Sequence, residues 1–157
     1  IILEDEAKKS YRFGQSSFGK AKPYDMALLD EHGFVAMELK DSDRIKFSLS
    51  EVRQNQWDGL QAVHERGWPA LLVVNYYVRL TPKQQQALKA DLPYYNCAFV
   101  FPYKTLKLMQ AQAYKSVSIL ECRTISGVEQ LHQIGEDRWD LKTLMKSLRQ
   151  RGKTRKE

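Results

Sequence analysis

The chain has 157 residues, 43% of them apolar and 28% charged, with a net charge of +6. That length suits one domain with a single core, burying roughly 70% of the surface the unfolded chain exposes, and the composition excludes disorder along most of it. No apolar run approaches the roughly 20 residues of a membrane helix and no leader pattern opens the chain, so a soluble protein is expected. The chain begins at Ile1 rather than at a methionine, which suggests that a segment precedes it. Cys97 and Cys122 are too few for a disulfide scaffold and wrongly spaced for zinc, which points to a reducing, cytoplasmic compartment.

The charge is uneven. From Lys142 to Glu157 seven basic residues meet one acid, so this stretch holds the whole net charge and the remainder balances. Residues 1–150 read as the domain and 151–157 as a basic tail. A second excess, Lys8, Lys9, Arg12, Lys20 and Lys22, meets no acid and is interleaved with Tyr11, Phe13, Phe18 and Tyr24. Cations among aromatics suit phosphate contacts and base stacking.

In chain order, Leu3, Ala7 and Tyr11 recur at helical spacing and predict a first helix. Asp25 to Asp30 and Phe34 to Lys40 read as strands joined at a turn over 30–33, where Gly33 supplies the permissive backbone. Ser48 with Glu51 forms a capping box, predicting a helix to about Arg66, with Gly67 and Pro69 beyond its end. Its buried face is Val52, Gln56, Leu60 and Val63. Ala70 to Tyr77 is a continuous apolar strand of the kind covered on both faces. Thr81, Pro82 and Gln84 open another helix, Tyr95 to Phe101 is a further buried strand, and Lys115 to Thr124 alternates less clearly. Leu141 to Gln150 closes the chain as a basic helix. A hairpin followed by alternating helices and strands makes the chain α/β.

The hairpin carries the chemistry. With a two-residue loop at Glu31 and His32, Asp25 faces Glu38 at a Cβ separation of roughly 5 Å, and Lys40 projects from the same face. A bulge at Gly33 would break this register. Two carboxylates and an ammonium suit phosphodiester hydrolysis: magnesium takes oxygen ligands and few protein carboxylates, while a lysine orients the nucleophile and stabilises developing charge. A strand-end salt bridge of Lys40 with Glu38 or Asp25 is the plain structural reading of the same residues. Gln56 interrupts an apolar helical stripe, where its amide needs partners, either in this site or on the backbone. The histidines offer no rival centre, since His32, His64 and His132 stand at no ligand spacing. Trp57, Trp68 and Trp139 are expected in the core or at its edge.

Pro23, Tyr24 and Asp25, followed by Glu38, Leu39 and Lys40, resemble the signature of the PD-(D/E)XK nuclease superfamily. Phe47, Ser48 and Leu49, then Val52 to Gln56, and the strand from Ala70 to Tyr76 are similar more narrowly to the RecU-like Holliday junction resolvases and their bacteriophage relatives. Glu4 to Ser10 and Tyr114 to Val117 extend that similarity over most of the chain. The resemblance implies a single domain with a restriction-endonuclease-like core, a mixed central sheet flanked by helices. It also implies a magnesium site, in which manganese substitutes, with Asp25 and Glu38 as ligands and Glu4 completing it from the first helix, where Glu6 competes. Lys40 is then the catalytic lysine, with Gln56 beside it or the phosphate. Lys22, Arg44, Lys46, Arg53 and Lys115 are candidate contacts to the DNA backbone.

The implied activity is cleavage of four-way DNA junctions in recombination and repair, in the cytoplasm of a bacterium or a phage-infected cell, near the nucleoid. The catalytic strands lack the long insertion of the larger cellular resolvases. Two other readings stay open, a repair or restriction-type nuclease on duplex or flapped DNA and a non-catalytic nucleic-acid-binding module. A homodimer is expected from the two-fold symmetry of a junction, with the apolar run Ile1, Ile2, Leu3 as its contact.

Overall fold

The structure is a computed structural model and describes residues 2–4, 24–30, 33–135 and 138–153. Its first element departs from the expected helix: Ile2–Glu4 is a strand, β1, paired in parallel with Arg138–Asp140 near the other end of the chain. Helical spacing is a local signal, and pairing with a segment more than a hundred positions away overrides it. Ala7, Tyr11 and the rest of that expected helix lie outside the described residues. The backbone of Ile2 and Leu3, part of the apolar run expected at a dimer contact, pairs with β10 within the chain.

The hairpin forms in the expected register. Strands β2 (Met26–Asp30) and β3 (Gly33–Ser42) are antiparallel, with Met26 opposite Met37 and Asp30 opposite Gly33. No bulge intervenes, and Gly33 takes φ of +124° with the Trp68 ring so close that a Cβ has no room. Next come β4 (Lys46–Ser48), a 3-10 turn (Leu49–Glu51), α1 (Gln54–Glu65) and β5 (Ala70–Arg79). Helix α1 thus starts later than the Ser48 box predicts. Ser48 Oγ accepts from Ser50 N–H and caps only the 3-10 turn, after which the extended, buried Val52 interrupts the helical path. Arg53 is the N-cap of α1, and Gln56, the third helical residue, reaches back so that its Oε1 accepts the Arg53 N–H at 2.9 Å.

Helix α2 (Pro82–Leu88) begins as its sequence dictates, with Thr81 Oγ1 and Gln84 Oε1 each accepting the other's backbone N–H. Strand β6 (Tyr94–Pro102) leads directly into α3 (Tyr103–Ala111), a helix absent from the sequence reading although Leu106 and Met109 mark its buried face. The remaining elements are β7 (Ser116–Ser118), α4 (Ile119–Cys122), β8 (Glu129–Gln130), β9 (Gln133–Gly135), β10 (Arg138–Asp140) and α5 (Leu141–Lys153). Helix α5 therefore runs three residues past the expected boundary at 150.

The central sheet has the order β2-β3-β5-β6-β8, with β3 and β5 parallel and every other pair antiparallel. It is a mixed sheet, and α1 provides the crossover that a parallel pair requires. Alternate residues of β5 serve two cores. Leu72, Val74 and Tyr76 pack with Leu60 of α1 and Leu106 of α3, while Leu71 and Val73 pack with Trp139 of β10 and Leu144 of α5. Helices thus flank both faces, which is why β5 is apolar along its buried length. Two smaller sheets, β1-β10-β9 and β4-β7, complete the fold. Among the described residues no helix is long and apolar enough to cross a membrane.

Candidate active site at the β2–β3 hairpin and the start of α1

The register places Asp25, immediately before β2, opposite Glu38, and the two interact electrostatically. Leu39 donates its backbone N–H to Asp25 Oδ2 at 3.0 Å, so the strand that carries Glu38 also positions Asp25. Tyr24 packs edge-on against Phe34, with ring centroids 5.9 Å apart, and anchors the chain beside Asp25. Period-2 alternation then brings Lys40 onto the face of Glu38, with Nζ 3.0 Å from Glu38 Oε1. Gln56 reaches in from the first turn of α1 and donates its Nε2 to that same Oε1. Four residues expected together from the sequence are therefore one constellation drawn from two strands and a helix.

Glu38 is fully buried, whereas Lys40 remains 20% exposed. Its oxygens are treated unequally: Oε1 accepts from both Lys40 and Gln56, and Oε2 is buried without a partner. Burial pushes the Glu38 carboxyl above its ordinary value, the hydrogen bond to Lys40 pulls it down, and the neighbouring charge of Asp25 pushes it up again. The salt-bridge reading is thus correct as geometry, and it leaves one buried oxygen of Glu38 without a partner. Among the described residues no group of three or more His, Cys, Asp or Glu side chains converges as a metal site. Two neighbouring carboxylates, one of them with a buried, unpartnered oxygen, suit a small hard cation that keeps water in its other positions, rather than a closed protein cage.

The other expected residues are dispersed. Glu4 lies on β1, in the sheet beside β10, and not on a helix. Glu6 and Lys22 lie outside the described residues. Arg44 and Lys46 line a cleft of about 480 Å³ at the end of β3, where Arg79 of β5 joins them. Arg44 is partly neutralised there, 3.6 Å from Asp43 and 4.0 Å from Glu51. Arg53 serves α1 through its backbone and leaves its side chain exposed. Lys115 lines a different cleft, between α1 and α3. Sequence reasoning missed two contributors, the Leu39 N–H that holds Asp25 and Arg79 in the basic cleft. The first is backbone and carries no residue signature, while the second is remote in sequence and was legible only as an exposed position closing an apolar strand.

His64 stacks beside Tyr103 with centroids 5.1 Å apart, and Trp139 is buried, both in packing roles. Trp57 packs at the edge of the core, and Trp68 lies over Gly33 with 41% of its surface exposed. No protein-family model matches the chain, and no curated protein matches it.

Proposed function

We propose that this chain is a metal-dependent endonuclease of the PD-(D/E)XK type that hydrolyses phosphodiester bonds in DNA, with four-way junctions as its substrate. The observation that carries the reading is the unpartnered, buried Oε2 of Glu38, beside a second carboxylate and an accessible lysine. A buried carboxylate oxygen without a partner is costly, and a cation removes that cost. The order β2, β3, α1, β5, with β5 parallel to β3, supports the restriction-endonuclease-like core that the resemblance implies.

Asp25 and Glu38 are the residues that would hold Mg2+ or Mn2+, which when bound polarises a phosphate and acidifies a water. The chain's own groups do the rest. Lys40 presents a partly exposed ammonium beside Glu38, where it can donate to the attacking oxygen or stabilise charge developing on the phosphate. Gln56 and Lys40 together fix the Glu38 carboxylate by one oxygen, so the other keeps a set direction. The basic cleft at Arg44, Lys46 and Arg79 provides cations for the phosphates of the bound strand. A homodimer belongs to the proposal on symmetry alone, since paired cuts across a two-fold junction need two matched sites.

The test is to incubate the protein with a four-way junction and a linear duplex of the same sequence, in magnesium or in chelator. Junction cleavage with magnesium, none with chelator, and slower cleavage of the duplex is the expected result. Cleavage of the duplex alone would retain the nuclease and remove the junction, and no cleavage of either with magnesium or manganese would overturn the proposal.

A further inference from the structure

A second concave site shares the start of α1 with Gln56, the residue that reaches Glu38. The cleft has a volume of about 480 Å³ and runs between the start of α1 and the end of α3. Trp57 and Tyr114 form its aromatic walls, and both are half-buried at the core edge. Neither the Trp57 indole N–H nor the Tyr114 hydroxyl has a hydrogen-bond partner among the described residues. Gln54, Gln110 and Ser50 add amides and a hydroxyl, and the exposed Lys115 is the sole charged group in the lining among the described residues. Gln54 Nε2 also donates to Asp58 Oδ1 at 2.8 Å, and Asp58 is not among the lining residues.

We propose that this cleft binds an unpaired nucleotide of the DNA strand that crosses the active site. The inference rests on the nuclease reading above and deepens it by naming the form of strand the protein grips. Size comes first: the volume lies in the range of a small-ligand site and matches one nucleotide rather than a helix. Chemistry comes second. Aromatic walls stack a base by its π-face, amides and hydroxyls match donors and acceptors on base edges, and a single lysine without a competing carboxylate suits one phosphate. A base inside a duplex cannot present its faces to a cleft, so the site discriminates for strand that is already unstacked. Geometry comes third. The same helical turn that sends Gln56 to Glu38 carries Gln54 and Trp57 into the cleft, so a strand passing over this turn reaches both.

The experiment is a binding titration in chelator, with labelled short thymidine oligomer and a labelled hairpin duplex of matching length, read by fluorescence anisotropy. The wild-type protein is expected to bind the oligomer more tightly than the duplex. Trp57→Ala should weaken the oligomer by about tenfold or more, the loss of one stacked base, and leave the duplex nearly unchanged. Should that variant fold poorly, Lys115→Ala replaces an exposed side chain and is expected to lower the log-log salt slope for the oligomer by about 0.7, the share of one neutralised phosphate. Equal wild-type affinity for both probes, or wild-type affinity and slope in the variants, would overturn the inference. Cleavage plays no part in this titration. A protein that binds the oligomer through the cleft but cuts nothing with magnesium would therefore sink the nuclease reading alone.

Discussion

Glu38 on β3 and Tyr76 on β5 lie on the same side of the central sheet, both fully buried, and each carries a polar group into an apolar layer. Tyr76 donates its hydroxyl to the Val117 carbonyl at 2.9 Å, with Cys122 Sγ at 3.6 Å, and so ties the central sheet to β7. Burial pushes its hydroxyl far above the ordinary range, which keeps it a proton donor at any working pH. Cys122 is raised for the same reason, to about 12, and stays an unreactive thiol. Glu38 differs because its set of partners is incomplete, two donors on one oxygen and none on the other. A closed buried hydrogen bond specifies a fold, whereas the open one beside an accessible lysine is what the proposed cation would complete.

The sharpest way to break this contrast is to neutralise the open site. Asp25→Asn and Glu38→Gln keep the shapes and remove the charges, and each is expected to abolish magnesium-dependent cleavage while leaving DNA binding in chelator largely intact. Lys40→Ala should reduce turnover by about 100- to 1000-fold, the scale of losing one charge-stabilising donor. A nicking assay beside anisotropy in chelator checks all three, and unchanged cleavage in both carboxylate variants removes the site assignment.

Tyr76→Phe probes the closed site. It leaves the Val117 carbonyl buried without its donor, so a loss of about 1–3 kcal/mol in denaturant unfolding is expected, with cleavage unchanged. A fall in cleavage beyond the fraction unfolded would show that the two sites are not separable.

Glu38 also predicts a pH dependence. Its folded-state pKa lies above the ordinary 4.5, so the native state favours the protonated carboxyl. The stability this contributes is fully present below about 4.5 and is lost as pH rises through the raised value. Without metal, wild-type thermal stability should decline across that window. Glu38→Gln has nothing to ionise and should flatten the decline, becoming the more stable protein at neutral pH. Added magnesium is expected to raise the Tm of the wild type and not that of the variant. Melting curves with and without magnesium, at acid and neutral pH, decide it.

The smallest effect belongs to the C-terminal cations. Deleting the residues after Arg149 removes the last turn of α5 together with the basic residues beyond it. DNA affinity should weaken, and the log-log salt slope should fall by about 0.9 for each duplex phosphate that the shortened protein no longer neutralises. An unchanged slope would mean that these charges are solvated and distant from DNA.

Much of the candidate site was legible before the fold because its central relation is local. A two-residue loop sets the hairpin register, and strict alternation along a strand then puts Asp25, Glu38 and Lys40 on one patch without help from the rest of the chain. The start of α2 was legible for the same reason, since Thr81 and Gln84 satisfy each other's backbone N–H groups within four positions and Pro82 takes the first helical position. Signals that act across the fold were misread. The Ser48 box was used up on a 3-10 turn because Val52 is drawn into the core, and a helical stripe at the start of the chain was answered by a strand partner at 138–140.

Residue order alone therefore settled the alternation of apolar strands and capped helices, and the pairing of two carboxylates with a lysine. Tertiary structure decided that Gln56 donates to Glu38, that one Glu38 oxygen stays open, and that Trp57, Tyr114 and Lys115 share a cleft. The physical reason is range. Turn geometry and capping act over a few residues and leave a mark at fixed spacing, whereas burial and packing depend on segments that meet only after the sheet has closed over α1 and α3.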